Sequence, residues 1–199
     1  MKTRIGINGF GRIGRLVLRA VTQEGYENVE VGAINSFADP ENNAHMFKYD
    51  TTYGTYKGDV SWTEDSIVID GNSIACLNSE DPSQLPWGQH GVDIVIECTG
   101  KFTNSAQASG HLEGGAKKVI ISAPAKNEDI TIVIGVNEHQ YDKDKHHILS
   151  NASCTTNCVA PLVKVLDDYF GVQQGMMTTI HAYTNDQQVL DKRHKDCLL

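Results

Sequence analysis

A glycine-rich turn near the start of the chain constrains the fold more than any other feature of the sequence. Residues 9–14 read Gly-Phe-Gly-Arg-Ile-Gly, between a short apolar run at 4–8 and a stretch at 11–21 with apolar residues at helical spacing. A Gly-x-Gly-x-x-Gly pattern that follows a strand and opens a helix predicts a turn that binds the pyrophosphate of a dinucleotide. The first glycine makes the tight turn, the second lets the ligand approach the backbone, and the third lets helix and strand pack closely. The alternative is a tight strand-to-helix turn that binds no ligand.

Strands and helices alternate along the rest of the sequence as far as residue 150. Further strands are predicted at 29–35, 92–97, 118–122, 130–134 and 147–150, with an Asp-Gly hairpin at 67–74, a capped helix from 39 and helical sequence from 98 to about 114. This order predicts an α/β fold, a Rossmann-type doubly wound parallel sheet with both faces covered.

The character of the sequence changes near residue 151. A helix is predicted over 154–170, and a strand over 176–181 follows it. We therefore predict an NAD(P)-binding Rossmann domain over 1–151 and the truncated start of an α+β catalytic domain over 152–199. The second part has too few residues to bury a core of its own.

The charge balance and the cysteines exclude several classes of protein. Lys and Arg number 17 against 25 Asp and Glu, and the net charge of −8 argues against a general binder of nucleic acid or anionic membranes. No apolar run is long enough to span a membrane, and no signal peptide is evident. Five scattered cysteines are typical of reduced cytoplasmic thiols and not of a disulfide framework. We expect a cytoplasmic protein without a metal site.

The segment Ser153–Cys158 places a thiol where a strand gives way to a helix. Cys154 at a helix N-terminus meets the positive end of the helix dipole and unpaired N–H groups, which favour the thiolate. The same N–H groups can hold the oxyanion that forms when sulfur attacks a carbonyl. Cys158, one helical turn later, is expected to be a buried neighbour.

His181, at the end of the next predicted strand, supplies a candidate general base for Cys154. A thiolate beside a nicotinamide favours one reaction: the sulfur adds to an aldehyde, hydride leaves to the cofactor, and a thioester remains. Two alternatives stay open, a purely structural cysteine and a thiol hydrolase. The dinucleotide turn opposes the hydrolase, which needs no such cofactor.

The end of the second strand bears on the choice between NAD and NADP. Dinucleotide-binding sheets that prefer NAD carry an acid there for the ribose 2′-hydroxyl. This chain has Asn35, Ser36 and Phe37, with no acid before Asp39. This weakens the case for strict NAD selectivity. The alternative is that Asp39 or backbone groups bind the ribose.

Two segments together identify a family. Residues 152–158, Ala-Ser-Cys-Thr-Thr-Asn-Cys, and residues 6–15, Gly-Ile-Asn-Gly-Phe-Gly-Arg-Ile-Gly-Arg, closely resemble glyceraldehyde-3-phosphate dehydrogenase. Segments 97–103, 121–124 and 181–187 support the resemblance, which covers residues 1 to 196.

The resemblance implies a role for each matching residue. Cys154 is the nucleophile, and His181 activates it and accepts the proton during hydride transfer. Ser153 and Thr155 bind the attacking inorganic phosphate, and Thr184 binds the substrate phosphate. The implied cofactor-binding residues are Asn8, Gly9, Gly11, Arg12, Ile13, Asn35, Ser36, Thr99, Gly100, Phe102 and Ser122.

The activity implied is the phosphorylating oxidation of glyceraldehyde 3-phosphate to 1,3-bisphosphoglycerate in glycolysis or gluconeogenesis, by a cytoplasmic homotetramer that uses NAD or NADP. The related erythrose-4-phosphate dehydrogenases share the cysteine motif and resemble this chain less around Tyr183 and Thr184.

Two departures from the family pattern stand out. Lys192 and Arg193 occupy a loop where NAD-preferring members often have an apolar residue and proline. Together with Ser36, these cations suggest that the enzyme accepts NADP, because a 2′-phosphate favours cationic partners. The alternative is that Lys192 and Arg193 are solvated cations of a loop with no role in cofactor binding.

The second departure is that the sequence ends at Leu199, where family members continue. We expect from this a fragment, a truncation or a reading-frame change, with little turnover and exposed apolar surface. A non-catalytic dinucleotide-binding fragment is the corresponding alternative.

Overall fold

The first compact unit, Met1–Pro161, is built on one large sheet. It comes from a computed structural model that describes residues 2–184 and residue 187. The strands are β1 (Thr3–Asn8), β2 (Val29–Asn35), β3 (Tyr49–Asp50), β4 (Gly54–Thr55), β5 (Val60–Trp62), β6 (Ser66–Ile69), β7 (Asn72–Leu77), β8 (Ile94–Glu97), β9 (Lys118–Ile121), β10 (Ile130–Thr131) and β11 (Ile148–Ser150). The helices are α1 (Arg12–Glu24), α2 (Pro40–Lys48), α3 (Ser105–Ala108), α4 (Gly110–Glu113) and α5 (Cys154–Phe170).

The sheet confirms the predicted α/β class. Its strand order is β10-β11-β9-β8-β1-β2-β7-β6-β5. Every pair from β10 to β7 is parallel, and β5 and β6 add an antiparallel edge. The chain moves outward from β1 in one direction to β2 and returns on the other side to β8. β1 is therefore the topological switch point, where open α/β sheets bind ligands at the carboxyl ends of the strands.

The hairpin at the antiparallel edge forms at the predicted Asp-Gly turn. Ile69 pairs with Asn72 across a two-residue loop. Asp70 has a φ of +49° and Gly71 a φ of +80°. Two consecutive positive φ angles define the turn whose twist matches that of the flanking strands.

The core packs against both sides of the parallel strands. One cluster joins α1 and α2 to the sheet and includes Leu18, Ile34 and Phe47. A second gathers around Trp87 and Val95. All five side chains are at most 1% exposed, so the strands that carry the candidate site are fixed by close packing.

Three predicted elements differ in the structure. The strand expected over 130–134 is paired only at Ile130–Thr131, and the helical region before Gly114 is divided into α3 and α4. The strand expected over 176–181 is wrong, because described residues 171–184 contain no strand. A strand exists through its ladder of hydrogen bonds, and no described segment pairs with this one.

The second compact unit, Leu162–Leu199, begins within α5. Large apolar side chains on its described part are exposed, among them Leu166, Phe170, Met176 and Ile180. Within residues 2–184 and 187, no helix is long and apolar enough to cross a membrane.

Candidate active site

The glycine turn after β1 has the geometry that its sequence predicts. Gly9 has a φ of +91°, and a Cβ atom there would lie 2.9 Å from the backbone nitrogen of Thr99. At Gly14 a Cβ would lie 2.1 Å from the carbonyl oxygen of Gly9, so glycine is required for α1 to pack on the turn. At Gly11 a Cβ would meet no atom within 4 Å. The middle glycine therefore faces open space, as a ligand approaching the backbone requires.

The N-terminus of α1 opens into the same space. Gly11 is its N-cap and contributes no capping side chain, so the first N–H groups of the helix are not satisfied by it. Such groups and the helix dipole together attract phosphate. The side chain of Ile13 is 49% exposed beside this turn. These features fit the pyrophosphate of a dinucleotide.

Arg12 is anchored at the edge of the turn by Asp50. Its two terminal nitrogens lie 2.9 and 3.4 Å from the two carboxylate oxygens of Asp50. The backbone N–H groups of Tyr53 and Thr52 also donate to that carboxylate and, with Arg12, lower the pKa of Asp50 to about 2. The carboxylate is thus ionised at any working pH, and Arg12 keeps a fixed partner.

Buried Arg19 fixes the loop that carries Asp50. The residue is 3% exposed, and its guanidinium donates to four carbonyl oxygens. These belong to Phe47, Lys48, Tyr53 and Gly54, at 2.9 to 3.3 Å. The loop is therefore a preorganised support for Arg12.

The residues at and just after the end of β2, Asn35 and Ser36, are both neutral. Ser36 donates its hydroxyl to Asn43 Oδ1 at 3.0 Å, and it accepts the N–H of Ala38 at 3.2 Å. Asp39 caps α2: its Oδ1 accepts the N–H of Asn42 at 2.7 Å, which lowers the pKa of Asp39. The position directly after β2, where NAD-preferring sheets carry an acid, is thus a neutral serine, and the first acid is Asp39 at the cap of α2.

The neighbouring edge follows β8 and β9. Thr99 donates its backbone N–H to Glu97 Oε1 at 2.7 Å, and Gly100 has a φ of +71°. Phe102 lies edge-on to His111, with ring centroids 6.5 Å apart. Ser122 hydrogen-bonds the Cys98 thiol through its side chain. All the predicted cofactor residues thus lie at, or shortly after, the carboxyl ends of β1, β2, β8 and β9, which are neighbours in the sheet.

A group of buried polar residues beneath this edge escaped the sequence analysis. Glu97 and His111 are 1% and 0% exposed, and Trp87 donates its indole N–H to His111 Nδ1 at 3.0 Å. The available signal was the acid Glu97 at the end of an apolar strand, since a buried carboxylate is rare unless it has partners.

The thiol segment begins at the carboxyl end of β11 in the same parallel sheet. Cys154 is exposed and is the first residue of α5, as predicted. Ser153 caps the helix by accepting the N–H of Thr156 at 3.0 Å. Ala152 adopts a φ of +57°, a conformation that costs a non-glycine residue about 1–2 kcal/mol. The Ser150 hydroxyl holds this turn, accepting the N–H of Ala152 and donating to Ala123.

His181 and Thr184 belong to the second compact unit, and Cys154 to the first. His181 is exposed in a stretch without regular structure, with its Nδ1 2.5 Å from the carbonyl oxygen of Ala182. Thr184 donates its N–H to Gln187 Oε1 at 2.8 Å. The pairing of His181 with Cys154 therefore stays a prediction. Lys192 and Arg193 lie outside the described residues. Thr155, the second predicted phosphate ligand, is half-buried in the first turn of α5.

The cysteines differ sharply in environment, which predicts their reactivity. Burial raises the pKa of Cys98 to about 12 and also raises the pKa of Cys76. The Cys98 thiol is therefore protonated, and unreactive, near neutral pH. The expectation that Cys158 is buried is wrong: it is exposed, because its face of α5 is uncovered among the described residues.

We predict that iodoacetamide modifies Cys154 first, because it is exposed and begins a helix. Cys158 should react next, and Cys98 should stay unmodified until the protein unfolds. Peptide mass spectrometry over a time course gives the order. Modification of Cys98 in the folded protein before Cys154 would contradict this assignment.

Together, the switch point, the glycine turn and the open helix N-terminus define a dinucleotide-binding α/β protein. The model of the glyceraldehyde 3-phosphate dehydrogenase NAD-binding domain matches residues 3–105, and the model of the C-terminal domain of that family matches residues 153–198. The chain belongs to the glyceraldehyde-3-phosphate dehydrogenase family.

Bacterial relatives agree with this assignment. The chain is 58% identical over 196 residues to a glyceraldehyde-3-phosphate dehydrogenase of Streptomyces coelicolor, covering 98% of this chain and 58% of the relative. It is 55% identical over 196 residues to glyceraldehyde-3-phosphate dehydrogenase 2 of Bacillus subtilis, covering 98% of this chain and 57% of the relative. It is 55% identical over 193 residues to the glyceraldehyde-3-phosphate dehydrogenase of Thermotoga maritima, covering 97% of this chain and 58% of the relative. The chain thus spans somewhat over half the length of these curated relatives.

Among the described residues, no group of three or more His, Cys, Asp or Glu side chains is arranged to hold a metal ion.

Proposed function

We propose that the protein carrying this chain is a phosphorylating glyceraldehyde-3-phosphate dehydrogenase. The observation that carries the proposal is the placement of Cys154 at the start of α5, on the same sheet edge as the glycine turn. β11 and β1 are three strand spacings apart, roughly 14 Å, so one extended ligand can connect the two positions. A thiol hydrolase would not require the dinucleotide-binding turn around Gly11.

NAD fits the residues around the glycine turn. The open space at Gly11 lets a ligand approach the backbone closely, and the uncapped first turn of α1 suits the pyrophosphate. Arg12 and Ile13 would line that pyrophosphate, Thr99, Gly100 and Phe102 the adenosine, and Ser122 the nicotinamide ribose. When bound, the nicotinamide supplies an acceptor for hydride.

The remaining steps of the reaction are carried out by groups of the protein itself. The Cys154 sulfur bonds to the aldehyde carbon while the first N–H groups of α5 hold the developing oxyanion, and the proton that His181 takes from the thiol passes to this oxygen to give the hemithioacetal hydroxyl. His181 takes the hydroxyl proton as the carbon is oxidised to a thioester. A phosphate oxygen then attacks the carbonyl, the C–S bond breaks, and Cys154 leaves as thiolate with 1,3-bisphosphoglycerate as product.

Ser153 and Thr155 are proposed to bind the attacking phosphate beside the sulfur. Both flank Cys154 at the start of α5, where the helix dipole favours an anion. The Ser153 oxygen caps the helix by accepting the N–H of Thr156, so its own proton, which lies in reach of the Thr156 hydroxyl at 2.7 Å, can be donated to a phosphate while the cap is kept. Thr184 is proposed for the phosphate of the substrate. The remaining parts of the proposal are a homotetramer in the cytoplasm and a domain boundary near residue 151.

The test is the rate of dinucleotide reduction with glyceraldehyde 3-phosphate, with and without inorganic phosphate. We expect sustained turnover only with phosphate, and a higher kcat/KM for glyceraldehyde 3-phosphate than for erythrose 4-phosphate. Sustained aldehyde oxidation to the free acid without phosphate would contradict the phosphorylating reaction.

The neutral end of β2 predicts that NADP is accepted beside NAD. Ser36 stands where NAD-preferring sheets carry an acid, and the carboxylate of Asp39 is used to cap α2. We expect NADP to support turnover within about tenfold of NAD in kcat/KM, and Ser36→Asp to lower NADP turnover by about a hundredfold through charge repulsion.

Lys192→Leu isolates the contribution of Lys192. It should lower kcat/KM for NADP without lowering kcat/KM for NAD. An enzyme with a strong NAD preference that Lys192→Leu leaves unchanged would contradict the proposal.

A further inference from the structure

A row of hydrogen bonds crosses the carboxyl ends of four neighbouring strands beneath the glycine turn. Ser79, just after β7, donates its N–H to Asn35 Oδ1 at 2.9 Å. Asn35 at the end of β2 donates to Asn8 Oδ1 at 2.7 Å, and Asn8 at the end of β1 donates to Glu97 Oε2 at 2.5 Å. A backbone N–H starts the row and a carboxylate ends it, so the orientation of both amides is fixed.

His111 approaches the same carboxylate from the other side in a defined tautomer. The Trp87 indole nitrogen can only donate, so His111 Nδ1, 3.0 Å away, is an unprotonated acceptor. A neutral imidazole with a bare Nδ1 carries its proton on Nε2. That nitrogen lies 3.1 Å from Glu97 Oε2, to which it donates. The imidazole is neutral, because a proton on Nδ1 would face the indole N–H.

Glu97 is consequently a buried carboxylate held by four donors. Oε2 accepts from Asn8 and His111, and Oε1 accepts the N–H and the hydroxyl of Thr99. The Thr99 hydroxyl accepts the N–H of Lys101 at 3.1 Å, which leaves its proton for Glu97. Within the described residues no Lys or Arg nitrogen pairs with this carboxylate.

Two of these donors, Asn8 and Thr99, belong to the proposed dinucleotide site, and they flank Gly9. A Cβ at Gly9 would contact Thr99 at 2.8 Å, so the position of Thr99 sets the shape of the turn. Burying a carboxyl group costs more than burying an amide of the same shape, which would fill the same space. The feature that only the carboxylate provides is acceptance from both sides at once.

We propose that Glu97 is the positioning residue of the dinucleotide site, and that His111, set by Trp87, locks its orientation. Glu97 holds Asn8 and Thr99 at fixed places on either side of the glycine turn. The proposal rests on the proposed function of that turn. Glu97→Gln replaces one acceptor by an amide donor, which faces either the donors on Asn8 and His111 or those on Thr99.

The test is a double-mutant cycle on NAD affinity, measured by titration calorimetry on wild type, Glu97→Gln, Thr99→Val and the double variant. We expect each single variant to bind NAD about tenfold more weakly, the loss of one charge-assisted hydrogen bond. The double variant should bind no more weakly than Glu97→Gln, because both act through one contact. Glu113→Gln, an exposed carboxylate on α4, should bind as wild type does.

Additive effects in the cycle, or wild-type affinity in Glu97→Gln, would overturn the proposal while leaving the dinucleotide site intact. A wild-type protein that binds neither NAD nor NADP would overturn the proposed function itself. Where Glu97→Gln fails to fold, Thr99→Val alone decides: unchanged NAD affinity contradicts positioning through Thr99. Nitrogen NMR of wild-type His111 gives an independent result, with a proton on Nε2 expected and a proton on Nδ1 contradictory.

Discussion

Replacing Cys154 by serine is expected to lower kcat for glyceraldehyde 3-phosphate by about four orders of magnitude or more, as removal of an enzyme nucleophile does. A serine hydroxyl is a far weaker acid than a thiol and a far weaker nucleophile near neutral pH, and a helix start favours the thiolate further. The exchange is nearly isosteric, and Ser153 rather than Cys154 caps α5. Thermal stability and NAD affinity should therefore remain close to those of the wild type.

Cys158→Ser is the matched control for this variant. Cys158 is exposed one turn further along the same helix, so its loss should leave kcat within about twofold of wild type. Steady-state assays of the protein carrying each change compare the two. More than a few per cent of wild-type turnover in Cys154→Ser, or a large loss in Cys158→Ser, would remove Cys154 from the role of nucleophile.

Two glycines of the same turn are expected to give opposite phenotypes on substitution by alanine. Gly14→Ala places a Cβ 2.1 Å from the carbonyl oxygen of Gly9, which forces α1 away from β1. We expect a loss of about 3 kcal/mol in the free energy of unfolding, at the upper end for an overpacked interior. In Gly11→Ala the new methyl group meets no protein atom within 4 Å, so the free energy of unfolding should fall by no more than about 1 kcal/mol, the preference of a helix N-cap for glycine over alanine.

The affinity for NAD should separate the same pair. In Gly11→Ala the new methyl group occupies the space proposed for the pyrophosphate, and we expect the Kd for NAD to rise at least tenfold while the protein stays folded. Thermal denaturation and calorimetric titration of both variants give the two quantities. Wild-type NAD affinity in Gly11→Ala would show that the open space at Gly11 is not the pyrophosphate site.

The parts of the fold that were predictable are those with a local physical cause. The glycine turn after β1, the Asp39 cap on α2 and the hairpin at Asp70 and Gly71 each depend on residues within a few positions of one another. The start of α5 at Cys154 belongs to the same group, since Ser153 supplies its cap from the preceding position.

Features that depend on distant partners were not predictable from the sequence. A pattern suited to a strand at 176–181 forms no strand in the described residues, because no neighbour pairs with it. The exposure of Cys158 depends on what covers α5, and helical spacing does not reveal that. The row from Ser79 to Glu97 joins residues up to 89 positions apart, such as Asn8 and Glu97. Only the order of strands brings them together.

The most direct test of the account is a single-turnover experiment without phosphate. The protein is mixed with NAD and glyceraldehyde 3-phosphate, and the reduced dinucleotide is measured while peptide mass spectrometry locates the bound acyl group. We predict a burst of reduction stoichiometric with active sites, an acyl group on Cys154, and resumed turnover when phosphate is added. Reduction without an acyl group on Cys154, or an acyl group on another residue, would contradict the assignment of Cys154 as the nucleophile.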